Sequence, residues 1–146
     1  MSSKVSFGTT LEVRDSCLCL HVQRAARTLA RRFDQALQPL GLTNGQFSLL
    51  MSLNRPLPPA IGQVASTLGM NRTTLTAALK PLEREGLVAI DVDPDDRRGR
   101  RLRLTEAGHV ALARAVPIWR RAHAEVEASL GTDGADALRS ALLALS

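Results

Sequence analysis

The sequence predicts a mainly α-helical chain carrying one small β-hairpin. Three observations lead there. Of 146 residues, 45% are hydrophobic but only 3% are aromatic, with Trp119, three Phe and no Tyr, so the core must be built from Leu, Val and Ala. Apolar residues recur at steps of three and four through most of the chain, which is the helical period. Between residues 88 and 104 the period drops to two, which is the strand period. The length suits one domain.

The elements follow in order. Residues 1–13 mix Ser, Thr, Gly and charge without a period and read as a flexible N-terminal arm; residues 14–146 form a single domain. From Asp15 the pattern turns helical, with Leu18, Val22, Ala25, Leu29, Phe33, Ala36 and Leu40 on one stripe and Arg24, Arg27, Arg31 and Arg32 largely off it. Pro39 and Gly41 end this long helix. Thr43-Asn44-Gly45-Gln46 is a capping box, opening a helix that carries Phe47, Leu49, Leu50 and Leu53. That helix stops before Pro56, Pro58 and Pro59, because proline restricts its predecessor and lacks a donor. A short helix spans about 60–68, Gly69 turns the chain, and Asn71 caps a helix from Arg72 to Glu85 that ends at Gly86.

Val88, Ile90 and Val92 then alternate with Ala89, Asp91 and Asp93, and Leu102 and Leu104 alternate with Arg101 and Arg103. Residues 94–100 join these two strands as a loop, and Gly99 lets its tip turn tightly. Thr105 caps a long final helical region in which Val110, Ala113, Val116 and Trp119 face inward and Pro117 introduces a bend. Gly131 and Gly134 break it, and Ala135, Leu138, Ala141, Leu142 and Leu145 form a last amphipathic helix.

Charge and composition narrow the function. Nineteen basic against fourteen acidic residues give +5, which favours an anionic partner such as nucleic acid. Seventeen of the nineteen are Arg, the residue suited to phosphate and base-edge contacts. A GC-rich coding sequence also raises Arg content, but it does not decide where the arginines sit. No apolar run is long enough to span a membrane, and no apolar segment follows a basic start, so the chain reads as cytoplasmic. Two cysteines are too few for a thiolate zinc site, and His21, His109 and His123 are too scattered for a local metal motif. No nucleophile–base pairing and no Gly-rich phosphate loop is present, so neither an enzyme nor a cofactor is expected.

Residues 61–80 are the most informative stretch. Val64, Ala65, Leu68, Gly69, Met70 and Leu75 have the spacing of two helices crossing at a wide angle, with a small residue where the second passes over the first. Any αα-corner shares part of this spacing. The second helix turns Leu75, Leu79 and Leu82 inward, leaving Arg72, Thr73, Thr74, Thr76 and Lys80 as candidate major-groove contacts. That face carries no carboxylate until Glu83, which suits a polyanion. Pro81 sits within the helix and predicts a modest bend beyond the contact residues.

Arg97, Arg98, Arg100, Arg101 and Arg103 crowd into seven residues of the hairpin, after Asp93, Asp95 and Asp96, at least one of which braces an arginine. A guanidinium on a stiff hairpin can enter a narrow minor groove. A charge run is ordinarily a solvated loop, but this one directly follows a helix-turn-helix.

Taken together, the helix-turn-helix, the run Leu79-Lys80-Pro81-Leu82-Glu83-Arg84-Glu85-Gly86-Leu87-Val88, the run Asp93-Pro94-Asp95-Asp96-Arg97-Arg98 and the run Leu104-Thr105-Glu106-Ala107-Gly108 resemble the MarR family of bacterial winged-helix regulators over residues 15–146. The resemblance implies a winged helix-turn-helix with N- and C-terminal dimerisation helices. Residues 14–41 and 108–146 would dimerise, and residues 43–107 would form the DNA-binding lobe. It places Asp96 and Arg98 on the family's wing aspartate and minor-groove arginine. It implies a homodimer reading a pseudo-palindrome of double-stranded DNA, usually blocking a promoter, and released by a small phenolic or other aromatic acid bound between the dimer helices and the lobe. His21 and Arg24 are candidates for that ligand pocket. The terminal helices agree, since they carry more apolar surface than a small lobe can cover.

Two alternatives stand beside this reading. Cys17 and Cys19 lie near the start of the first long helix, whose positive end activates a thiol, and the resemblance extends to oxidation-sensing members with a reactive cysteine in this region. Those members hold the thiol with tyrosines, and this chain has none. Two residues apart on one helix, the two side chains point to opposite sides and do not easily bond to each other. The other alternative is a winged helix that binds protein rather than DNA, against which the wing arginines argue.

Overall fold

The computed structural model describes residues 3–146. Seven α-helices and one hairpin follow in order: α1 (Phe7–Ser16), α2 (Leu18–Leu37), a 3-10 turn (Gln38–Leu40), α3 (Asn44–Ser52), α4 (Ile61–Leu68), α5 (Arg72–Arg84), β1 (Val88–Asp93), β2 (Asp96–Leu104), α6 (Glu106–Ser129) and α7 (Gly134–Ala144). The mainly helical prediction with one hairpin holds.

Two parts of the N-terminal prediction do not. The loose arm over residues 1–13 contains a helix from Phe7 onward; Met1 and Ser2 lie outside the described residues. Ser6 caps it by accepting from the Thr9 N–H at 3.3 Å. This helix has no apolar stripe, so a search for periodicity passes over it. The single helix starting at Asp15 is in fact two. Cys17 takes extended angles (φ −68°, ψ 110°), closing α1 through its own N–H to the Val13 carbonyl and opening α2. Asp15 belongs to α1, paired with Arg14 at 2.7 Å.

α2 packs along α6, and α3 sits on both. The capping box on α3 is present in both directions: Thr43 Oγ1 accepts from the Gln46 N–H at 3.2 Å, and Gln46 Oε1 accepts from the Thr43 N–H at 3.1 Å. From α3 the core runs through Leu49, Leu50, Val64, Leu75, Leu79 and Leu82 to Val88, Leu102 and Leu104 on the hairpin, and closes on Leu112 and Ala115 of α6. Burying these leucines supplies most of the driving force.

α6 runs through Pro117 without a break. Its inward stripe is Gly108, Leu112, Ala115 and Ala122, with Val116 and Trp119 partly buried beside it. Val110 and Ala113, expected to face inward, are exposed. A helix with two apolar stripes does not say which one meets the core; here α2, α3 and the hairpin pack on α6 together and select the stripe at 108, 112 and 115. No helix among the described residues is long and apolar enough to cross a membrane.

Candidate nucleic-acid interface

The corner between α4 and α5 is built by short-range rules. Gly69 takes φ +65°, a left-handed conformation that costs glycine nothing. Asn71 then accepts from the Thr74 N–H at 2.8 Å and starts α5. Leu75, Leu79 and Leu82 are fully buried beneath, so the helix has one rotational setting. That setting leaves Arg72, Thr73, Thr74, Thr76 and Lys80 all exposed on the outer side. The structure therefore brings the five sequence-predicted major-groove residues to one open surface. Arg72 lies back over α4, its Nη2 2.6 Å from where a Cβ on Gly62 would stand. The helix continues past Pro81 to Arg84.

The hairpin differs from the sequence reading at its tip. The loop expected over 94–100 is a two-residue turn, Pro94-Asp95, and β2 already starts at Asp96. Val92 pairs with Arg100 but Asp93 pairs with Asp96, so residues 97–99 bulge from β2. Gly99 serves this bulge rather than a tight turn. A Cβ there would stand 3.2 Å from the Asp93 Cβ and 3.3 Å from the Asp96 carbonyl oxygen.

Hydrogen bonds divide the wing arginines into two groups. Asp93, buried at 8% exposure, accepts from the Asp95 N–H at 2.9 Å and pairs with Arg101 Nε at 3.0 Å. Arg101 also donates to the Pro58 carbonyl at 3.2 Å, and Leu102 N–H donates to the Pro59 carbonyl at 2.9 Å, which ties the hairpin to the loop before α4. Arg103 pairs with Asp91 at 3.2 Å. Arg101 and Arg103 thus stiffen the wing. Arg97, Arg98 and Arg100 have no carboxylate partner among the described residues and face solvent; Arg100 donates to the Arg97 and Gly99 carbonyls. Asp96 accepts from the Arg98 N–H at 3.0 Å, which fixes the backbone from which Arg98 projects.

Three further hollows lie beside this surface. His21 and Arg24 share a cleft of about 510 Å³ with Leu29, Arg32, Leu130 and Leu138, walled by α2, α6 and α7. No residue of 43–107 lines it, so within one chain these two candidates do not stand between the terminal helices and the lobe. That position is taken by an aromatic string. Phe47 stacks on Trp119 at 6.0 Å, Trp119 on His123 at 4.6 Å, and Phe33 meets His123 at 6.4 Å. An opening of about 410 Å³ is lined by Phe47, Met51, Leu68 and Trp119, and a smaller one by Phe33, Asn44 and His123. Sequence reasoning missed this group. Its only trace was the i, i+4 spacing of Trp119 and His123, which puts both on one face of α6.

Asp34 on α2 joins the two parts of the chain. Its Oδ1 accepts from the Asn44 backbone N–H at 2.7 Å and from Asn44 Nδ2 at 2.8 Å, capping α3 from outside. The backbone bond first, then the side-chain bond, holds its carboxyl below the ordinary carboxylate value. Cys17 is half-buried and Cys19 exposed, and both are free thiols. Cys17 is the N-cap and not a helical residue, so the two thiols are not held on opposite sides of one helix. His21 Nδ1 lies 2.7 Å from the Cys17 carbonyl oxygen.

Known proteins share this architecture. The chain is 33% identical over 113 residues to the transcriptional activatory protein BadR of Rhodopseudomonas palustris, which is 75% of this chain, and it spans 65% of that relative's length. Among solved structures, the transcriptional regulator MosR of M. tuberculosis in complex with DNA is 40% identical with a TM-score of 0.82, covering 89% of this chain and 93% of that one. The transcriptional repressor CouR bound to a 23-mer DNA duplex is 33% identical with a TM-score of 0.81, covering 98% and 99%. CouR is also solved bound to p-coumaroyl-CoA. The family model that matches, over residues 42–99, is described as the MarR family. The chain belongs to the MarR family and is a DNA-binding transcriptional regulator, not an enzyme.

Proposed function

We propose that the protein is a cytoplasmic homodimeric repressor that reads a pseudo-palindromic operator and is released by a small aromatic acid or its conjugate. The carrying observation is the surface formed by α5 and the wing. It pairs a carboxylate-free recognition face with Arg97, Arg98 and Arg100, which have no carboxylate partner among the described residues. Arg72, Thr73, Thr74, Thr76 and Lys80 would enter the major groove, and Arg97, Arg98 and Arg100 the flanking minor groove. Asp96, Arg101 and Arg103 would position them. Residues 43–107 act as the DNA-binding lobe. The apolar stripe of α2 and the leucines of α7 stay open in one chain, which supports dimerisation through residues 14–41 and 108–146. Two recognition helices about 34 Å apart would then meet successive major grooves.

The repressor and ligand parts rest on CouR, a repressor by name, which has been solved with DNA and with p-coumaroyl-CoA. They also rest on the ring-lined opening at Phe47 and Trp119, a surface suited to an aromatic group. A ligand there releases DNA if it prefers a lobe spacing that does not fit the operator.

The test is a salt titration of binding to duplex taken from the DNA flanking the protein's own gene. Arg98→Ala lowers affinity about tenfold and flattens the dependence of log K on log salt by about 0.9, one phosphate contact. Arg103→Ala, a residue already paired with Asp91, leaves the slope unchanged. An Arg98→Ala slope equal to that of the parent protein removes the wing from the interface.

A second reading is favoured by the helix break. An N-cap side chain points toward the N2 and N3 positions of its helix, and Cys19 is N2 of α2. A hydroperoxide would convert one thiol to a sulfenic acid, leaving as the alcohol. The other thiol would then displace water to close a Cys17–Cys19 disulfide. Mass spectrometry after mild peroxide shows a loss of two hydrogens between Cys17 and Cys19 with reduced operator binding if this holds. Retained thiols with unchanged binding exclude it.

A further inference from the structure

Arg72 is placed unlike the other polar residues of the recognition surface. It is the first residue of α5, directly after the Asn71 cap. Side chains on a helix lean toward its N-terminus, so a long one at the first position reaches back past the helix start. Here it reaches Gly62 of α4. A Cβ on Gly62 would stand 2.6 Å from Arg72 Nη2, 3.4 Å from Cζ and 3.6 Å from Nε, and these are the three nearest atoms. The guanidinium thus rests against α4 in a space that exists only because residue 62 has no side chain. Arg72 is exposed and has no hydrogen-bond or ion-pair partner among the described residues, so its donors are open to an anion.

The place of this seat in the lobe gives it a meaning. α4 touches both α5 and β2. Ala60, just before α4, bridges to Arg101 of β2, and the Pro59 carbonyl accepts from the Leu102 N–H at 2.9 Å. The start of α4 is therefore fixed between the recognition helix and the base of the wing. A duplex that takes α5 in its major groove and the wing in the flanking minor groove has one sugar–phosphate strand separating the two grooves, and that strand crosses between α5 and the wing. Base edges lie deeper, in front of Thr73 and Thr76. A guanidinium held at the crossing meets phosphate oxygens, which match its fork of donors.

We propose that Gly62 is a positioning residue for DNA binding: it seats the Arg72 guanidinium between α5 and the wing, where Arg72 clamps a phosphate of the strand between the grooves and reads no base. The inference rests on the reading of α5 and the wing as groove-binding elements, and it moves Arg72 from the floor of the major groove to its edge. Gly62 carries no charge and no donor beyond its backbone, so nothing in the residue itself marks it for DNA.

The test is a double-mutant cycle on the full chain. Affinities of the parent protein, Gly62→Ala, Arg72→Ala and the double variant are measured across a salt series, on duplex flanking the protein's own gene and on a random duplex of equal length. Arg72→Ala weakens binding to both duplexes by the same factor, about tenfold, and flattens the dependence of log K on log salt by about 0.9. Gly62→Ala shifts affinity and slope in the same direction, because the new methyl group displaces the guanidinium, and it has no effect once Arg72 is gone. Alanine suits a helix, and the atoms it would meet first all belong to Arg72, so the variant keeps its fold. Weaker binding of Arg72→Ala to the flanking duplex alone makes Arg72 a base reader and overturns the clamp, while leaving α5 in the groove. Effects of the two substitutions that simply add overturn the positioning role of Gly62. A parent protein that binds neither duplex overturns both the clamp and the groove reading beneath it.

Discussion

The DNA-binding lobe and the terminal helices are both amphipathic, yet they end differently. In the lobe, Leu75, Leu79, Leu82 and Leu102 keep no exposed surface. In the terminal helices, Leu18 keeps 71% and Leu143 keeps 74%. The stripes of α3, α4, α5 and the hairpin face one another within the chain, whereas those of α2 and α7 extend beyond the point where the core stops at Ala122. An apolar stripe states that a face must be covered, but not by which chain. The lobe covers its apolar face within one copy; the terminal helices leave theirs open, which fits the dimer proposed above.

The sharpest way to break this comparison is to remove one leucine from each region. Leu79→Ala opens a cavity beneath the recognition helix and costs about 2–5 kcal/mol of unfolding free energy. It leaves the affinity of one copy for the other near its original value, because Leu79 does not reach the surface. Leu29→Ala does the reverse. It lies 36% exposed on the open stripe, so it barely changes the lobe but raises the dimer dissociation constant about tenfold. Denaturant titration reads the first effect and sedimentation the second. If Leu29→Ala left the dissociation constant alone, the open stripe would be no interface.

The same division marks what the sequence could reveal. Asn71, Gly69 and the Thr43–Gln46 box were legible because each acts over three or four residues, within reach of a local rule. The recognition face was legible because Leu75, Leu79 and Leu82 set the rotation of α5, and everything opposite them follows. Features that depend on distant partners were not. The α6 stripe was misplaced onto Val110 and Ala113 because only the packing of α2, α3 and the hairpin on α6 decides between two candidate faces. The wing arginines could be counted but not sorted, since Arg101 reaches Asp93 and Arg103 reaches Asp91 only in a register shifted by the bulge at 97–99. The ring string needed α3 brought onto α6 before Phe47 could meet Trp119. α1 escaped for the opposite reason: it is helical without a stripe, and no pattern of apolar residues marks it.

Asp34 tests the joint between the two regions, with the smallest effect. It belongs to α2 but satisfies the first backbone N–H of α3, where the positive end of the helix also favours a carboxylate. Asp34→Ala removes that cap and costs about 1 kcal/mol at neutral pH. The sign of the pH dependence follows from the hydrogen bonds. Because Asn44 holds the carboxyl below its ordinary value of 3.8, the folded state prefers the ionised form. Its contribution is complete above 3.8 and is lost as pH falls through the lower folded-state value. Thermal midpoints of the parent and the variant are therefore separated by a constant gap at neutral pH, and the gap closes on strong acidification. A gap that stayed the same down through the carboxylate range would mean that Asp34 acts by packing, not charge, and that α2 meets the lobe through shape alone.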